Sequence, residues 1–183
     1  DKIVYQGQNK QVRPTVKVQQ GKGELAADLE EGKDYTLEYG TNTSAGVNAG
    51  SVKILSVSGG NYTGSREVNF DIKQFNMADF DAQYIDQTFG DQLYTGNQIK
   101  PNENGFAILT DGTDIRLQKD IDYTVEYGTN IDVGDGIIRF QAKPNSNCVG
   151  FKEITFVIYK QMGEASGITV EVSDQPYTGA AVK

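Results

Sequence analysis

"DYTLEYGTN" occupies residues 34–42, and "DYTVEYGTN" occupies residues 122–130. Eight of the nine letters agree, and the ninth exchanges Leu37 for Val125, both compatible with a strand. In the first stretch Tyr35, Leu37 and Tyr39 fall on one face, with Thr36 and Glu38 on the other. That alternation is what a sheet with one buried face requires. The Gly-Thr-Asn that follows is turn chemistry. A strand running into a turn, written twice, points to a duplicated β unit.

The duplication extends on both sides. "YQGQNKQVRP" (5–14) answers "YTGNQIKP" (94–101), with two extra residues in the first copy. "AGSVKI" (49–54) answers "DGIIRF" (135–140), and "GNYTGSREVNFDIKQF" (60–75) answers "SNCVGFKEITFVIYKQM" (146–162). A third partial copy closes the chain, where "DQPYTGAAVK" (174–183) matches "DQLYTGNQIK" (91–100). A period of about 86 residues is too long for a stacked solenoid and suits a small domain. The expectation is beads on a string, each with its own core.

Further strands follow from the same period. Val68, Phe70 and Ile72 alternate with Asn69 and Asp71. Ile154, Phe156 and Ile158 point inward, with Val157 on the opposite face, and "ITVEV" (168–172) reads as another strand. "SAGVNAG", "SGGNYTG", "DVGDG" and "PNSN" supply the turns between them. Short strands at close spacing predict an all-β, antiparallel sandwich. "GELAADLEEG" (23–32) reads either as a helical turn or as a charged loop; its counterpart "TDGTDIRLQKD" (110–120) has no helical stripe.

Two divisions of the chain are open, because a strand-like segment precedes the Tyr-Thr-Gly of the second copy (78–89) and of the tail (167–175). In one, that segment opens each bead. The chain then divides into 1–73, a first repeat short of its opening strand; 74–161, a second repeat; and 162–183, the start of a third. In the other, the segment closes the preceding bead, and 162–183 completes the second. "KQF" (73–75) and "KQM" (160–162) look like parallel linker starts and favour the first. An orphan strand over 168–172 would then be free to add to a neighbouring molecule's sheet edge.

The chain has 183 residues and a net charge of -8, and it contains no His and no Trp. An acidic surface repels phosphate and anionic lipid, so nucleic acid and bare membrane are poor partners. No apolar run approaches the roughly 18 residues of a membrane helix. No charged-then-apolar leader opens the chain, so export would make it an internal fragment. Cys148 is alone and has no His to pair with, which excludes an internal disulfide, a Cys–His nucleophile and the usual zinc sets. It reads as a small filler in a strand or turn.

Residues in both copies resemble the immunoglobulin-like repeats found in tandem in large surface proteins of Gram-positive gut bacteria. The first copy matches with Tyr5, Gly7, Pro14, Asp34–Thr36, Asn42, Ala45–Gly46 and Gly60–Gly64. The second matches with Tyr94–Gly96, Pro101, Asp122–Thr124, Asn130, Gly134 and Gly150. It departs at "PNSNCVG", where Cys148 replaces the Tyr of "GNYTG", and at "DVGDG", which is two residues shorter. The resemblance implies tandem immunoglobulin-like β-sandwiches and an extracellular place on a bacterial cell surface. It also implies non-catalytic spacer repeats of an adhesin-like protein, with no cofactor. The alternative is a module for a glycan or a host surface protein, using the copy-specific loops 102–119 and 141–149. A third reading is an accessory domain of a glycan-degrading enzyme.

Candidate chemistry is thin. General acid–base work most often uses His, and nothing marks out two of the 25 acids as a catalytic pair. Asp132 and Asp135 near Gly134 and Gly136, with Asn130, form a candidate calcium loop. The first copy has no acid there, so a plain hairpin is the simpler reading; "TDGTD" (110–114) is read the same way. An isopeptide cross-link would need a buried Asn, but the alternation turns Asn69 toward solvent and the second copy has Thr155. Tyr35, Tyr39, Tyr123 and Tyr127 could stack on a sugar; they share a face with Leu37 and Val125, which favours a core role. No catalytic, cofactor or metal residue is assigned, and the ligand-binding residues are unknown.

Overall fold

The computed structural model describes residues 3–21, 23, 26–79, 90–101, 108–110, 115–162, 169, 171–174, 176, 177 and 179. The described chain is all-β, as the periodicity predicts. In order the strands are β1 (Gln19–Gln20), β2 (Ala27–Asp28), β3 (Tyr35–Tyr39), β4 (Gly46–Ser56), β5 (Ser65–Ile72), β6 (Phe75–Asn76) and β7 (Gln92–Leu93). They continue as β8 (Ile108–Thr110), β9 (Ile115–Leu117), β10 (Tyr123–Tyr127), β11 (Gly134–Ala142), β12 (Cys148–Val149) and β13 (Phe151–Tyr159). A 3-10 turn covers Met77–Asp79.

Each copy builds the same sheet. In the first, β3, β4 and β5 are neighbours and antiparallel, with Leu37 opposite Ile54 and Val52 opposite Val68. In the second, β10, β11 and β13 repeat that order, with Val125 opposite Phe140 and Ile138 opposite Ile154. The Tyr-bearing stretch ahead of each copy then runs parallel to the end of its last strand. Val4 bridges Lys73 in the first copy, and β7 pairs with β13 in the second. A short hairpin precedes each repeated nonamer: β1 with β2, and β8 with β9.

The alternation sets burial. Tyr35 and Tyr123 are buried, and Thr36, Glu38 and Glu126 are exposed. Phe156 and Ile158 face inward, while Val157 is 45% exposed. Val68 is a difference: it shares the inward face yet is 41% exposed. It lies on β5, the edge of a three-stranded sheet, so among the described residues no strand pairs with Val68 on its outer flank. The two residues by which the first copy is longer in this turn are absorbed as a bulge between Gly46 and Gly50, with Asn48 at φ 53°.

Three expectations change. Within "GELAADLEEG", Gly23 lies in a 3-10 turn, its carbonyl accepting from the Ala26 amide at 3.0 Å, and Ala27–Asp28 is a strand, which neither reading of the stretch expected. Asp28 instead holds Gln19 and Lys17 across the hairpin. The strand predicted at 168–172 is absent from the described residues: Thr169, Glu171 and Val172 lie in no strand, and Val172 is 84% exposed. A strand without a neighbouring ladder has nothing to bond with. Ile168 and Val170, like 80–89 of the segment 78–89, lie outside the described residues. Third, the expectation of a separate core in each bead is corrected. One buried apolar cluster joins Tyr5, Val12 and Ile72 of the first copy to Met77, Leu117, Tyr123, Phe140, Cys148 and Ile158.

Candidate functional site: the junction between the copies

The repeated nonamer organises one end of each copy. Asn42 and Asn130 are 1% and 5% exposed and both take a positive φ. Asn42 Nδ2 donates to the carbonyls of Val12 (3.2 Å) and Ser51 (3.0 Å), and its Oδ1 accepts from the Ser51 amide (2.8 Å). Asn130 repeats this with Ile99 (3.2 Å) and Ile137 (3.0 Å and 2.8 Å). Tyr39 and Tyr127 donate to the carbonyls of Pro14 (2.9 Å) and Pro101 (2.8 Å). These tyrosines therefore act in the framework, with their hydroxyls engaged.

The opposite end of the second copy receives the first. A turn before β10 places the Asp122 carboxylate, with Oδ2 accepting from the Gln118 amide at 2.8 Å. Its Oδ1 accepts from the Tyr5 hydroxyl at 2.9 Å and from Gln8 Nε2 at 3.4 Å. Asp122 is fully buried and Tyr5 is 1% exposed. A buried carboxylate is tolerated only when donors replace its water, and here part of that set comes from the other copy.

The loop 143–149 completes the contact. Asn147 Oδ1 accepts from the Ala45 amide (2.8 Å), and its carbonyl accepts from the Phe75 amide (3.0 Å). Gln74 Nε2 donates to the Ser146 carbonyl at 2.9 Å. β6 then runs parallel to β12, with Phe75 beside Cys148. Met77 follows, fully buried, and its turn touches β11 and β13.

Burial governs the titratable groups here. The Tyr5 hydroxyl is pushed well above its ordinary value, first by desolvation and then by the Asp122 charge and hydrogen bond. Desolvation raises Tyr123 similarly, with Asp122 adding to it. The Cys148 thiol is pushed up to about 12, again by burial first and Asp122 second. A thiol held protonated and 3% exposed is a poor nucleophile. The filler role expected for Cys148 fits this setting, but the surface it fills is an interface between copies.

The other sequence candidates are not brought together. Asn130 is buried with its Oδ1 accepting from the Ile137 amide, whereas Asp132 and Asp135 are exposed, so the three do not form one cluster of the kind a cation needs. No three His, Cys, Asp or Glu side chains among the described residues could share a metal ion. Asn69 is exposed on β5, opposite Ser51. Of the copy-specific loops, 102–107 and 111–114 lie outside the described residues, and 143–149 is engaged at the junction.

Sequence reasoning missed Asp122, Asn147 and Tyr5 as an interface set. The signal was present: "PNSNCVG" departs from "GNYTG" where the second copy meets the first. Comparison with family models, curated proteins and solved structures returned no match.

Proposed function

We propose that this chain is a non-catalytic spacer: two immunoglobulin-like β-sandwich units stacked end to end, from a bacterial cell-surface or secreted adhesin-like protein. The observation that supports it is the Tyr5–Asp122 contact, buried between the copies. Tyr5 belongs to the repeated Tyr-x-Gly motif and Asp122 to the repeated nonamer. Motifs that recur in both full copies thus supply the contact from one unit to the next, which suits an array whose units hold a fixed orientation. The extracellular setting and the sandwich class come from the resemblance of both copies to surface-protein repeats, with which an all-β chain is consistent.

A spacer needs length and stiffness, not a ligand. Small-angle scattering should give an elongated particle with a narrow distribution of maximum dimension. Titration against mucin and a glycan array should give no saturable binding. A saturable affinity that moves when the 102–119 loop is replaced by its first-copy counterpart would overturn the spacer reading in favour of a glycan or host-protein module.

A further inference from the structure

Both halves of the junction recur on the molecule in uncovered form. Leu117, Asp122, Phe140 and Cys148 are all 3% exposed or less, Leu117, Phe140 and Cys148 in the cluster that also holds Tyr5, and Asp122 against the Tyr5 hydroxyl. Their counterparts Leu29, Asp34, Ile54 and Tyr62 are half-buried. They line an open cleft of about 220 Å³. Asp34 keeps the turn geometry of Asp122, its Oδ2 accepting from the Glu30 amide at 2.9 Å. Asn61 stands where Asn147 stands and is exposed.

The complementary end is uncovered on the second copy. Tyr94 is half-buried where Tyr5 is buried, and Gly96 is exposed where Gly7 is buried. Val133, at the position of Ala45, is 52% exposed, and Met162, just past β13, is 86% exposed. The molecule therefore carries an acceptor face on one copy and a donor face on the other, each matching half of a contact it already makes internally.

We propose that the cleft around Asp34 and Tyr62 is a docking site for the Tyr94 end of a second copy of this chain, so that molecules associate head to tail. The proposal stands on the junction geometry and not on the spacer reading. Tyr94 takes the place of Tyr5 toward Asp34, and the Val133 amide takes that of Ala45 toward Asn61. The contact is heterologous, so it does not close into a dimer but extends. It is weaker than the internal junction, because no connecting chain raises the local concentration.

Sedimentation velocity of the chain between roughly 10 µM and 1 mM, the range in which weak contacts assemble, tests this. The weight-average sedimentation coefficient should climb with concentration without levelling at a dimer. Asn61→Arg blocks the acceptor face, and Val133→Arg blocks the donor face. Both alter exposed side chains, and circular dichroism confirms that each variant folds. Each variant alone should stay monomeric. An equimolar mixture should form a dimer and stop there, since one live face of each kind remains. A wild-type chain monomeric at 1 mM, association that survives either single variant, or a mixture that gives no dimer would each overturn the proposal.

Discussion

Asn42 and Asn130 sit at φ 48° and 45°, a conformation that Asn tolerates better than most residues. Each uses its whole amide to tie three backbone groups together across a turn. Alanine at either position would strand those groups in a buried setting and strain the backbone. We expect Asn42→Ala or Asn130→Ala to lower the unfolding free energy by about 2–4 kcal/mol, from unmade hydrogen bonds and an unfavourable φ. Glycine at the same position should cost less than alanine, because it relieves the φ penalty alone. Urea denaturation of the variants gives the order; a loss below about 1 kcal/mol for alanine would mean the amide is not the organiser. The recurring "GTN" announces the turn in the sequence. Its partners do not appear there, because Val12 and Ile99 lie 30 and 31 residues away, and local pattern carries no information on such pairs.

At the scale of the strand, each copy places a glycine across from an aromatic ring: Gly50 opposite Phe70, and Gly136 opposite Phe156. A Cβ added to either glycine would lie 2.2–2.7 Å from carbons of the facing ring, far closer than van der Waals contact allows. The glycine thus lets Phe156 lie flat across β11 and bury itself, at 5% exposure. Gly136→Ala should therefore destabilise by about 2 kcal/mol or more, as overpacking does. In a double-mutant cycle, Gly136→Ala with Phe156→Leu should lose at least about 1 kcal/mol less than the two singles added together. Additive losses would show that the ring is not the obstacle. Strand faces were readable because period two is local, as Tyr35 and Ile158 illustrate. The exposure of Val68 was not, since it depends on which strand ends the sheet. Nor was the Gln19–Asp28 hairpin, whose two-residue strands are too short to display a period.

At the scale of the whole molecule, duplication was legible from the nonamer, but the shared interior was not. Cys148 and Asn147 appear in the sequence only as departures from a pattern, and a departure does not say what it meets. The meeting place has a consequence for pH. Cys148, Tyr5 and Tyr123 are all raised above their ordinary values in the folded chain, so folding favours their protonated forms. Stability from each is fully present below its unfolded value and is lost as pH rises toward its folded one. For Cys148 the window opens at the ordinary thiol value of 9.0 and runs to about 12. Across it the thiol alone withdraws on the order of 4 kcal/mol, at 1.36 kcal/mol per pH unit. The tyrosines join from 10.0 upward. Stability measured by urea denaturation should be insensitive to these three groups at pH 6–8 and fall steeply above pH 9. Cys148→Ala should remove the earliest part of that fall while lowering stability at neutral pH through the space it leaves. Tyr5→Phe should remove part of the later fall and cost about 1.5–3 kcal/mol at neutral pH, the worth of a hydrogen bond to a charged acceptor. If stability were unchanged from pH 8 to 11, or if the alkaline loss were identical in both variants and the parent, the junction could not be the buried, protonated contact described above.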